Sequence, residues 1–323
     1  MISNQSEPSL SIVIAVVSGK IALRKCLDSL SDQARDVDAE VIVPYDGWTR
    51  DVLDLGGDFP DLRFVDADSP DSLKEFHHSH YDRRRAVGIA NTRGRLIALT
   101  EDHAVPSSDW CEQIIRAHAE SETVGVIGGA IENEIDAALN WAWYYCDFGR
   151  YGRPFRSEDV DYVSDVNVSY KRAALMSVKE VWQSAYRETS VHWELRRQGH
   201  LLRLDPRIIV YQNRPRLSLT AAARERIEWG RAFAETRSRE IGAASRGLLA
   251  IGAFFLPAVL FVRAVNCMVR QRRTLSQIAK SSPLIMLLVV LWSIGESIGY
   301  ASPRRGTQSS GMLAAESSIS VLL

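Results

Sequence analysis

The chain has 323 residues and a mass of 36.1 kDa, which suits one α/β domain of about 200–250 residues with an appended segment. Its 39 basic and 40 acidic residues give a net charge of −1, which excludes a globally cationic nucleic-acid binder. A hydrophobic fraction of 46% and a charged fraction of 24% exclude a disordered chain. We therefore expect a folded protein and predict no nucleic-acid partner, although the net charge does not exclude a local basic patch.

The cysteines and the first apolar stretch exclude two further classes of protein. The four cysteines lie far apart and form no C-x-x-C pair, so neither a cysteine zinc site nor a disulfide scaffold is expected. The stretch Leu10–Val17 has no positively charged segment before it and is too short to span a bilayer. It is interpreted as a buried strand and not as a secretory signal.

Short apolar runs alternate with helical patterns from Ser9 to about Pro206. The predicted strands are Ser11–Val17, Glu40–Pro44, Leu62–Val65, Leu96–Thr100 and Val124–Ile127. The predicted helices are Ile21–Gln33, a stretch around Ser72–Arg93, and Ser108–Glu120. This alternation predicts an α/β fold with a mostly parallel, doubly wound sheet. Ligands of such sheets bind at the carboxyl ends of the strands.

Polar side chains follow two of these strands. Asp46 and Gly47 follow the second strand, where a carboxylate can bond a ribose or base while the backbone approaches closely; an ordinary Asp-Gly turn is the alternative. Glu101, Asp102 and His103 follow the fourth strand. Their oxygen and nitrogen atoms suit a divalent cation that would neutralise a diphosphate, although a Glu-Asp pair alone is more often solvated.

Three consecutive arginines, Arg83–Arg85, precede the fourth strand. Guanidinium groups near a strand-end pocket suit phosphate oxygens because they donate in a planar fork. A solvated helix face is the alternative for such a charge run. The order and spacing of all these motifs along the chain favour the functional interpretation.

Taken in order, the motifs resemble those of glycosyltransferase family 2, which has the GT-A fold. The matching segments are Ser11-Ile12-Val13-Ile14, Val43-Pro44-Tyr45-Asp46-Gly47, Arg85-x-x-Gly88-Ile89-x-x-x-x-Gly94, Ile97-Ala98-Leu99-Thr100-Glu101-Asp102-His103, Pro106-x-x-x-Trp110, Asn167-Val168-Ser169-Tyr170-Lys171-Arg172, and Glu188 followed by Leu195-Arg196-Arg197-Gln198-Gly199 and Pro206. They cover about residues 9–215, so the resemblance is more specific than any one motif.

The resemblance implies a nucleotide-sugar donor, a divalent cation (manganese or magnesium) as cofactor, and inversion at the anomeric carbon. It implies that the nucleotide-binding residues are Ala15, Asp46, Arg85 and Asp102.

The resemblance also implies the metal ligands and the base. Glu101 and His103 occupy the outer positions of the family's Asp-x-Asp metal motif, with Asp102 as an alternative ligand to His103. Glu188 takes the general-base position and would remove the proton of the acceptor hydroxyl as that oxygen attacks; a helix-capping or surface acid is the alternative.

On the acceptor side, the resemblance implies Asn167 and Trp229 as binding residues. Trp229 stands where processive family members have the tryptophan of a Gln-x-x-Arg-Trp motif, but the arginine position is Glu228. The missing arginine argues against a polymer-making enzyme. The aromatic segment 140–145 could form a sugar-stacking platform or pack in the core.

The sequence departs from the family pattern at several motif positions. Ala15 and Ser18 stand in place of Pro and Asn, Tyr45 and Trp48 in place of Asp and Ser, Ala86 in place of Asn, and Gln212 in place of a late His. Glu-x-His in place of Asp-x-Asp changes the metal ligands themselves, since imidazole is softer and proton-sensitive. Metal dependence and the identity of the nucleotide sugar therefore stay open.

Two apolar runs near the C-terminus raise the question of a membrane. The segment 247–262 is interrupted at Arg263, and the segment 283–295 is followed by Glu296. Each reaches the roughly 20 residues of a span only with its charge included. Between the runs lie Arg270, Arg272, Arg273 and Lys280, which would meet anionic lipid if the helices lay in the inner leaflet. Spanning, monotopic and soluble (buried helical pair or dimer interface) arrangements all stay open, with membrane association favoured.

The predicted organisation is a GT-A domain over residues 1–215, a basic amphipathic helical linker over 216–246, two hydrophobic membrane-associated helices over 247–301 and a flexible tail over 302–323. The predicted function is a membrane-associated, inverting, hexosyltransferase-type glycosyltransferase with a glycan or lipid-linked acceptor. Its catalytic domain would face the cytoplasm, where sugar nucleotides are, and membrane lipid would be a partner. The alternatives are a nucleotidyltransferase, a catalytically degenerate membrane scaffold and a soluble carbohydrate-binding module.

Overall fold

The chain divides into two compact units. The computed structural model describes residues 7–68, 77–215, 217–238 and 241–302. The first unit is Met1–Glu134 with Arg153–Arg214, and the second is Ile135–Gly152 with Pro215–Leu323. Two sequence predictions lie partly outside the described residues: the start of the helix around 72–93 and the tail from residue 303 onward. The predicted domain boundaries stay predictions.

Within the described residues, the strands of the first unit form one nine-stranded sheet. They are β1 (Leu10–Ala15), β2 (Ala39–Tyr45), β3 (Leu62–Asp66), β4 (Leu96–Glu101), β5 (Ala104–Pro106), β6 (Val124–Asn133), β7 (Glu158–Val160), β8 (Asn167–Lys171) and β9 (Leu201–Gln212). Their spatial order is β3-β2-β1-β4-β8-β6-β9-β5, and β7 also pairs with β9. Pairing is parallel across β3, β2, β1 and β4 and between β6 and β9, while β5, β7 and β8 are antiparallel to their neighbours. The predicted α/β class is confirmed.

Helices connect the strands of the first unit. They are α1 (Lys20–Asp36), α2 (His77–Ala90), α3 (Trp110–Ala119), α5 (Arg172–Ser177), α6 (Lys179–Trp182) and α7 (Glu188–Arg197), with a 3-10 helix at Arg50–Gly57. All six residues of β1 are buried, as expected for a strand whose two faces are both covered. A Cβ on Gly88 of α2 would lie 2.3 Å from the Val13 side chain, so this glycine lets α2 approach β1 closely.

The second unit is helical. It contains α4 (Ala138–Asp147), a 3-10 helix at Gly149–Tyr151, α8 (Leu219–Arg237), α9 (Ala243–Gly252), α10 (Leu256–Arg270) and α11 (Leu275–Ala301). The first predicted apolar run is divided between α9 and α10, whose axes differ by 60°. Pro257 lies in the first turn of α10, where its missing N–H costs no helical bond.

The helices α8 and α11 touch backbone to backbone. A Cβ on Gly295 would lie 2.1 Å from the Ile227 carbonyl oxygen, and one on Gly230 would lie 2.2 Å from the Trp292 carbonyl oxygen. The buried Arg226 of α8 pairs with Asp147 at 2.5 Å. Charged α8 therefore closes one face of α11.

One helix of the described residues, α11, is long and apolar enough to cross a membrane. The α9–α10 pair would pass the same test only as one span bent by 60°.

Candidate active site

The candidate site lies where the parallel strands β1, β2 and β4 end, at one edge of the sheet. Ala15, the last residue of β1, is in register with Glu101, the last residue of β4. The backbone N–H of Asp102 donates to the Ala15 carbonyl at 3.1 Å. Asp46 follows directly on β2. Four of the predicted site residues are therefore at the sheet edge where open α/β folds bind ligands.

Asp102 is fully buried and holds the N-terminus of α1. Its Oδ2 atom accepts the backbone N–H groups of Ser18 and Gly19, each at 2.7 Å. Gly19 has a φ of 96°, a left-handed conformation that favours glycine. A carboxylate at a helix N-terminus satisfies free N–H groups and is favoured by the helix dipole. Asp102 thus fixes the loop between β1 and α1, and its nucleotide-binding role stays a prediction.

Asp46 is buried and paired with Arg84 of α2. The guanidinium donates from Nε and Nη2 to the two carboxylate oxygens, at 2.8 Å each, and from Nη1 to the Val16 carbonyl at 2.5 Å. The carboxylate also accepts the backbone N–H of Trp48 at 3.0 Å. Because both oxygens are already engaged, a nucleotide that bonds Asp46 has to share or displace these partners. The nucleotide-binding role of Asp46 stays a prediction.

Arg85, the next residue of α2, lies between two acidic side chains. Its Nη2 is 2.5 Å from Glu101 Oε1 and 2.9 Å from Asp165 Oδ2. Burial lowers the pKa of Arg85, but the charges of Asp165, Glu101, Asp82 and Glu188 outweigh it and hold the pKa above its ordinary value. Arg85 is therefore the permanent positive centre of an acidic cluster.

Two acids of this cluster have pKa values raised toward neutrality. Burial raises the pKa of Asp165 to about 6, against the opposing charge of Arg85. Burial likewise raises the pKa of Asp82 to about 7, against the charges of Arg85 and Arg187. Carboxylates with such pKa values can exchange protons at physiological pH, which is the property that general acid–base chemistry requires.

His103 lies between two carboxylates at the end of β4. Its Nε2 is 3.1 Å from Glu101 Oε2, and its Nδ1 is 3.2 Å from Asp102 Oδ1. Burial lowers the pKa of His103, but the hydrogen bonds to Asp102 and Glu101 outweigh it and raise the pKa to about 9. Burial raises the pKa of Glu101. The hydrogen bond from His103, together with the positive charges of His103 and Arg85, outweighs burial and lowers this pKa to about 2. At neutral pH, a protonated imidazole therefore joins the carboxylates.

This donor set does not fit the predicted divalent cation as it is arranged. A metal-bound histidine offers a neutral ring nitrogen, whereas both ring nitrogens of His103 face carboxylate oxygens. Glu101 Oε1 is engaged by Arg85. Across the part of the chain that the structure describes, no group of three or more His, Cys, Asp or Glu side chains is placed to hold a metal ion. The assignment of Glu101 and His103 as metal ligands stays a prediction, and no chemical step below is routed through a metal.

Glu188 is the first residue of α7 and is half-buried. Its Oε2 accepts the backbone N–H of Asp165 at 2.6 Å, and its Oε1 accepts the Tyr162 hydroxyl. The side chain of the same Asp165 faces Arg85. The structure therefore brings the predicted base Glu188 to the cluster that contains Arg85 and Glu101, and its catalytic role stays a prediction.

Asn167 opens β8 and is buried among three strands. Its Nδ2 donates to the carbonyls of Ala130 and Ile208 at 2.9 and 3.0 Å, and its Oδ1 accepts from Trp110 Nε1 at 2.9 Å. These bonds brace β6, β8 and β9 against α3. The structure gives Asn167 a structural role, and its predicted contact with an acceptor stays untested.

Trp229 lies on α8 of the second unit, where its ring meets that of Trp143 edge to face at 6.2 Å. Trp141, Trp143, Tyr144 and Tyr145 of α4 are buried. Core packing therefore accounts for the aromatic segment, and the acceptor-binding role of Trp229 stays a prediction.

Four residues in and around the cluster were absent from the predicted site. Asp82 and Arg85 are three residues apart on α2, a spacing that places them on one helix face and could have been used. Arg84 belongs to a run of three arginines, and the sequence of this run does not show which of the three side chains is buried. Asp165 and Tyr162 carry no sequence signal beyond preceding Asn167.

Comparisons with known proteins place this fold. No protein-family model matches the chain. The chain is 26% identical over 129 residues to the Bacillus subtilis (strain 168) protein named "Putative glycosyltransferase EpsH". That match covers 39% of this chain and 35% of the other protein, so it spans about a third of the length of this relative.

Among solved structures, the chain has the fold of a glycosyltransferase. It superposes on the mannosyltransferase PcManGT from Pyrobaculum calidifontis, solved in complex with GDP-Man and Mn²⁺, with a TM-score of 0.56 and 13% identity. The superposition covers 93% of this chain and 89% of PcManGT. A mycobacterial protein matches with a TM-score of 0.45 and 12% identity over 68% of this chain and 72% of its own, too weak a likeness to argue from.

Proposed function

We propose that the chain is an inverting glycosyltransferase that moves a sugar from a nucleotide diphosphate to a hydroxyl of a glycan or lipid-linked acceptor. The observation that carries the proposal is the buried cluster at the carboxyl ends of β1, β2 and β4, where Glu188, Asp165 and Glu101 surround Arg85. It combines a positioned carboxylate with a fixed cation at the edge where α/β sheets bind nucleotides. The GT-A-type fold and the partial likeness to a glycosyltransferase support it.

In the proposed reaction Glu188 acts as the base. The Asp165 N–H and the Tyr162 hydroxyl hold its carboxylate in one orientation. The acceptor oxygen forms a bond to the anomeric carbon, its proton passes to Glu188, and the bond from that carbon to the diphosphate oxygen breaks with its electron pair on the diphosphate. Attack opposite the leaving group inverts the anomeric carbon.

Arg85 has the complementary role. Its guanidinium is buried and charged at all relevant pH values, and it donates to oxygen atoms in a fixed fork. A departing diphosphate near the strand ends would gain the donors that Arg85 now shares between Glu101 and Asp165. The positive charge is thus present before charge develops on the leaving group.

The test is a donor-hydrolysis and transfer assay with a panel of nucleotide sugars. Glu188→Gln should keep donor binding and lose transfer by about 10²-fold or more, because the amide cannot take up the proton. The matched control is Glu194→Gln on the same helix, an acid paired with Arg197 at the protein surface, which should retain activity. Full transfer by Glu188→Gln would refute the base assignment.

The cation and the donor are part of the same proposal. PcManGT was solved with GDP-Man and Mn²⁺, which supports a nucleotide-sugar donor and use of manganese or magnesium here. Calorimetry with nucleoside diphosphates, with and without each cation, tests both. Because His103 is paired with Glu101, cation binding should require loss of the imidazole proton and should strengthen as pH rises.

We further propose that transfer takes place at a membrane, with the catalytic residues on the cytoplasmic side. The apolar helix α11 and the cytosolic location of sugar nucleotides support this. Fractionation of cells that express the full chain tests the location, and protease protection tests the orientation.

One observation favours a second candidate, a catalytically degenerate scaffold. The carboxylates of Asp46 and Asp102 and the ring of His103 all have protein partners already. A scaffold would bind none of the nucleoside diphosphates in the calorimetric panel, whereas the enzyme would bind at least one.

A further inference from the structure

The second unit exposes a continuous run of apolar side chains around the break between α9 and α10. Phe254 and Phe255, in the break itself, are 76% and 73% exposed. We define the α9–α10 apolar surface as these two residues together with Leu248, Ile251, Val259 and Val262, all exposed. Six large apolar side chains in one short segment are more than the scattered exposed residues of an ordinary protein surface.

The segment that carries this surface has charged residues of one sign. From Ile241 to Gly295 the chain has six basic residues and no acidic residue. Arg263 is exposed on α10, one position beyond Val262, and the charged groups near it are Arg150, Arg270 and Asp147, of which Asp147 also pairs with Arg226. An excess of positive charge on the segment that carries an apolar surface favours a partner with negative charge.

The distances between the charges and the phenylalanines set the depth that the surface can reach. Phe254 lies eight residues after Arg246 and nine before Arg263, which is about 12 and 13 Å along the helices. When the 60° bend is divided equally between α9 and α10, each helix is tilted about 30° from the membrane plane. The phenylalanines at the bend then lie about 6 Å deeper than Arg246 and Arg263. Interfacial helices bury their apolar faces by about 5–10 Å, whereas crossing a bilayer core requires about 30 Å.

We propose that the α9–α10 apolar surface inserts into a single leaflet of an anionic phospholipid membrane, with Phe254 and Phe255 as the deepest residues and Arg263 among the headgroups. The partner is the lipid surface: the chain supplies exposed apolar side chains at interfacial depth, on a segment with six basic residues and no acidic residue. Charged α8 packs against α11 backbone to backbone, so that face of α11 is closed to lipid.

The first experiment measures co-sedimentation of the full chain with vesicles of phosphatidylcholine, alone or mixed equally with phosphatidylglycerol. The chain should bind the mixed vesicles and bind the neutral ones weakly. Phe254→Ser with Phe255→Ser should lower the partition coefficient at least about tenfold, and Arg263→Gln about fivefold. The matched control is Ile21→Ser, an 89% exposed isoleucine of α1 in the first unit, which should bind as the unchanged chain does.

The second experiment measures depth. Phe254→Trp fluorescence should be quenched by lipids brominated near the headgroup end of the chain more than by lipids brominated near the bilayer centre. Quenching greatest at the centre would overturn single-leaflet insertion. Equal binding to neutral and anionic vesicles would overturn the role of the arginines.

The controls distinguish membrane insertion from misfolding and from self-association of the protein. Circular dichroism checks that each variant is folded, which is expected because the changed side chains are exposed. If the double phenylalanine variant binds vesicles normally but converts a dimer to a monomer in light scattering, the surface is a contact between copies and the proposal is wrong. Neither experiment uses a sugar donor, so sugar transfer and membrane insertion can fail independently.

Discussion

Replacing Arg84 with methionine tests the buried ion pair at the end of β2. Arg84 and Asp46 are 3% and 4% exposed, and the guanidinium supplies the carboxylate with two bonds of 2.8 Å. Removing one partner of such a pair leaves a buried uncompensated charge and costs about 3–5 kcal/mol. The lower end applies here, since Asp46 keeps the Trp48 N–H and has His80 at 3.7 Å.

We therefore expect Arg84→Met to lower the free energy of unfolding by about 3 kcal/mol, which is a fall of about 6–12 °C in the midpoint of thermal unfolding for a unit of this size. Arg83→Met is the matched control, because Arg83 is the preceding residue of the same helix and is only half-buried; its change should stay within about 0.5 kcal/mol.

A double variant separates the lost charge pair from lost packing. Adding Asp46→Asn removes the stranded carboxylate, so Arg84→Met with Asp46→Asn should be more stable than the sum of the single changes predicts, by at least about 1 kcal/mol. Equal unfolding midpoints for Arg84→Met and Arg83→Met would refute the reasoning, and so would strict additivity in the double variant.

Three further predictions concern other parts of the molecule. Gly295→Ala should destabilise the second unit by about 1–3 kcal/mol, because the added Cβ meets the α8 backbone. Gly247→Ala is the control: a Cβ there has nothing within 4 Å, so the change should be neutral or stabilising by up to about 1 kcal/mol. Chemical unfolding of both variants measures the difference. Burial, with the charge of Lys171, lowers the pKa of His118 to about 3, so the unfolded chain binds the proton more readily. The free energy of unfolding therefore falls as pH drops from about 6.5 toward 3. In His118→Gln, the slope of the free energy of unfolding against pH should be shallower by up to about 1.4 kcal/mol per pH unit. The folded pKa of Asp165, about 6, exceeds its unfolded value of about 3.9, so its contribution to stability is present below the unfolded value and is lost as pH rises through 6. At pH 8, Asp165→Asn should therefore be more stable than the natural chain by about 1–2 kcal/mol. Thermal unfolding curves should show this difference vanish below about pH 4.

The parallel part of the sheet could be predicted because its strands have apolar residues on both faces. β1, β2 and β4 were all placed within two residues of their ends. β9 was not predicted, because it contains Arg203, Asp205 and Pro206, residues that are rare in buried strands. β8 was missed because Asn167 and Ser169, which are polar, lie in its buried part.

The site could be predicted as a neighbourhood but not as a set of contacts. Strand order along the chain placed Asp46 and Glu101 at the same sheet edge. It could not show that Arg84 closes on Asp46, since that contact depends on the rotation of α2 about its own axis. The apolar run after Gly247 was likewise predicted to form one helix. The break between α9 and α10 at 253–255 could not be predicted, because it depends on tertiary packing around the buried Ala253.

Because Arg84 and Arg85 are consecutive, one turn of α2 forms ion pairs at the ends of two strands: with Asp46 after β2 and with Glu101 of β4. Any insertion or deletion upstream in α2 would rotate both guanidiniums away from their carboxylates together. Substitution of Asp46 would consequently disturb the acidic cluster as well, so the two regions should be varied jointly in any library built on this chain.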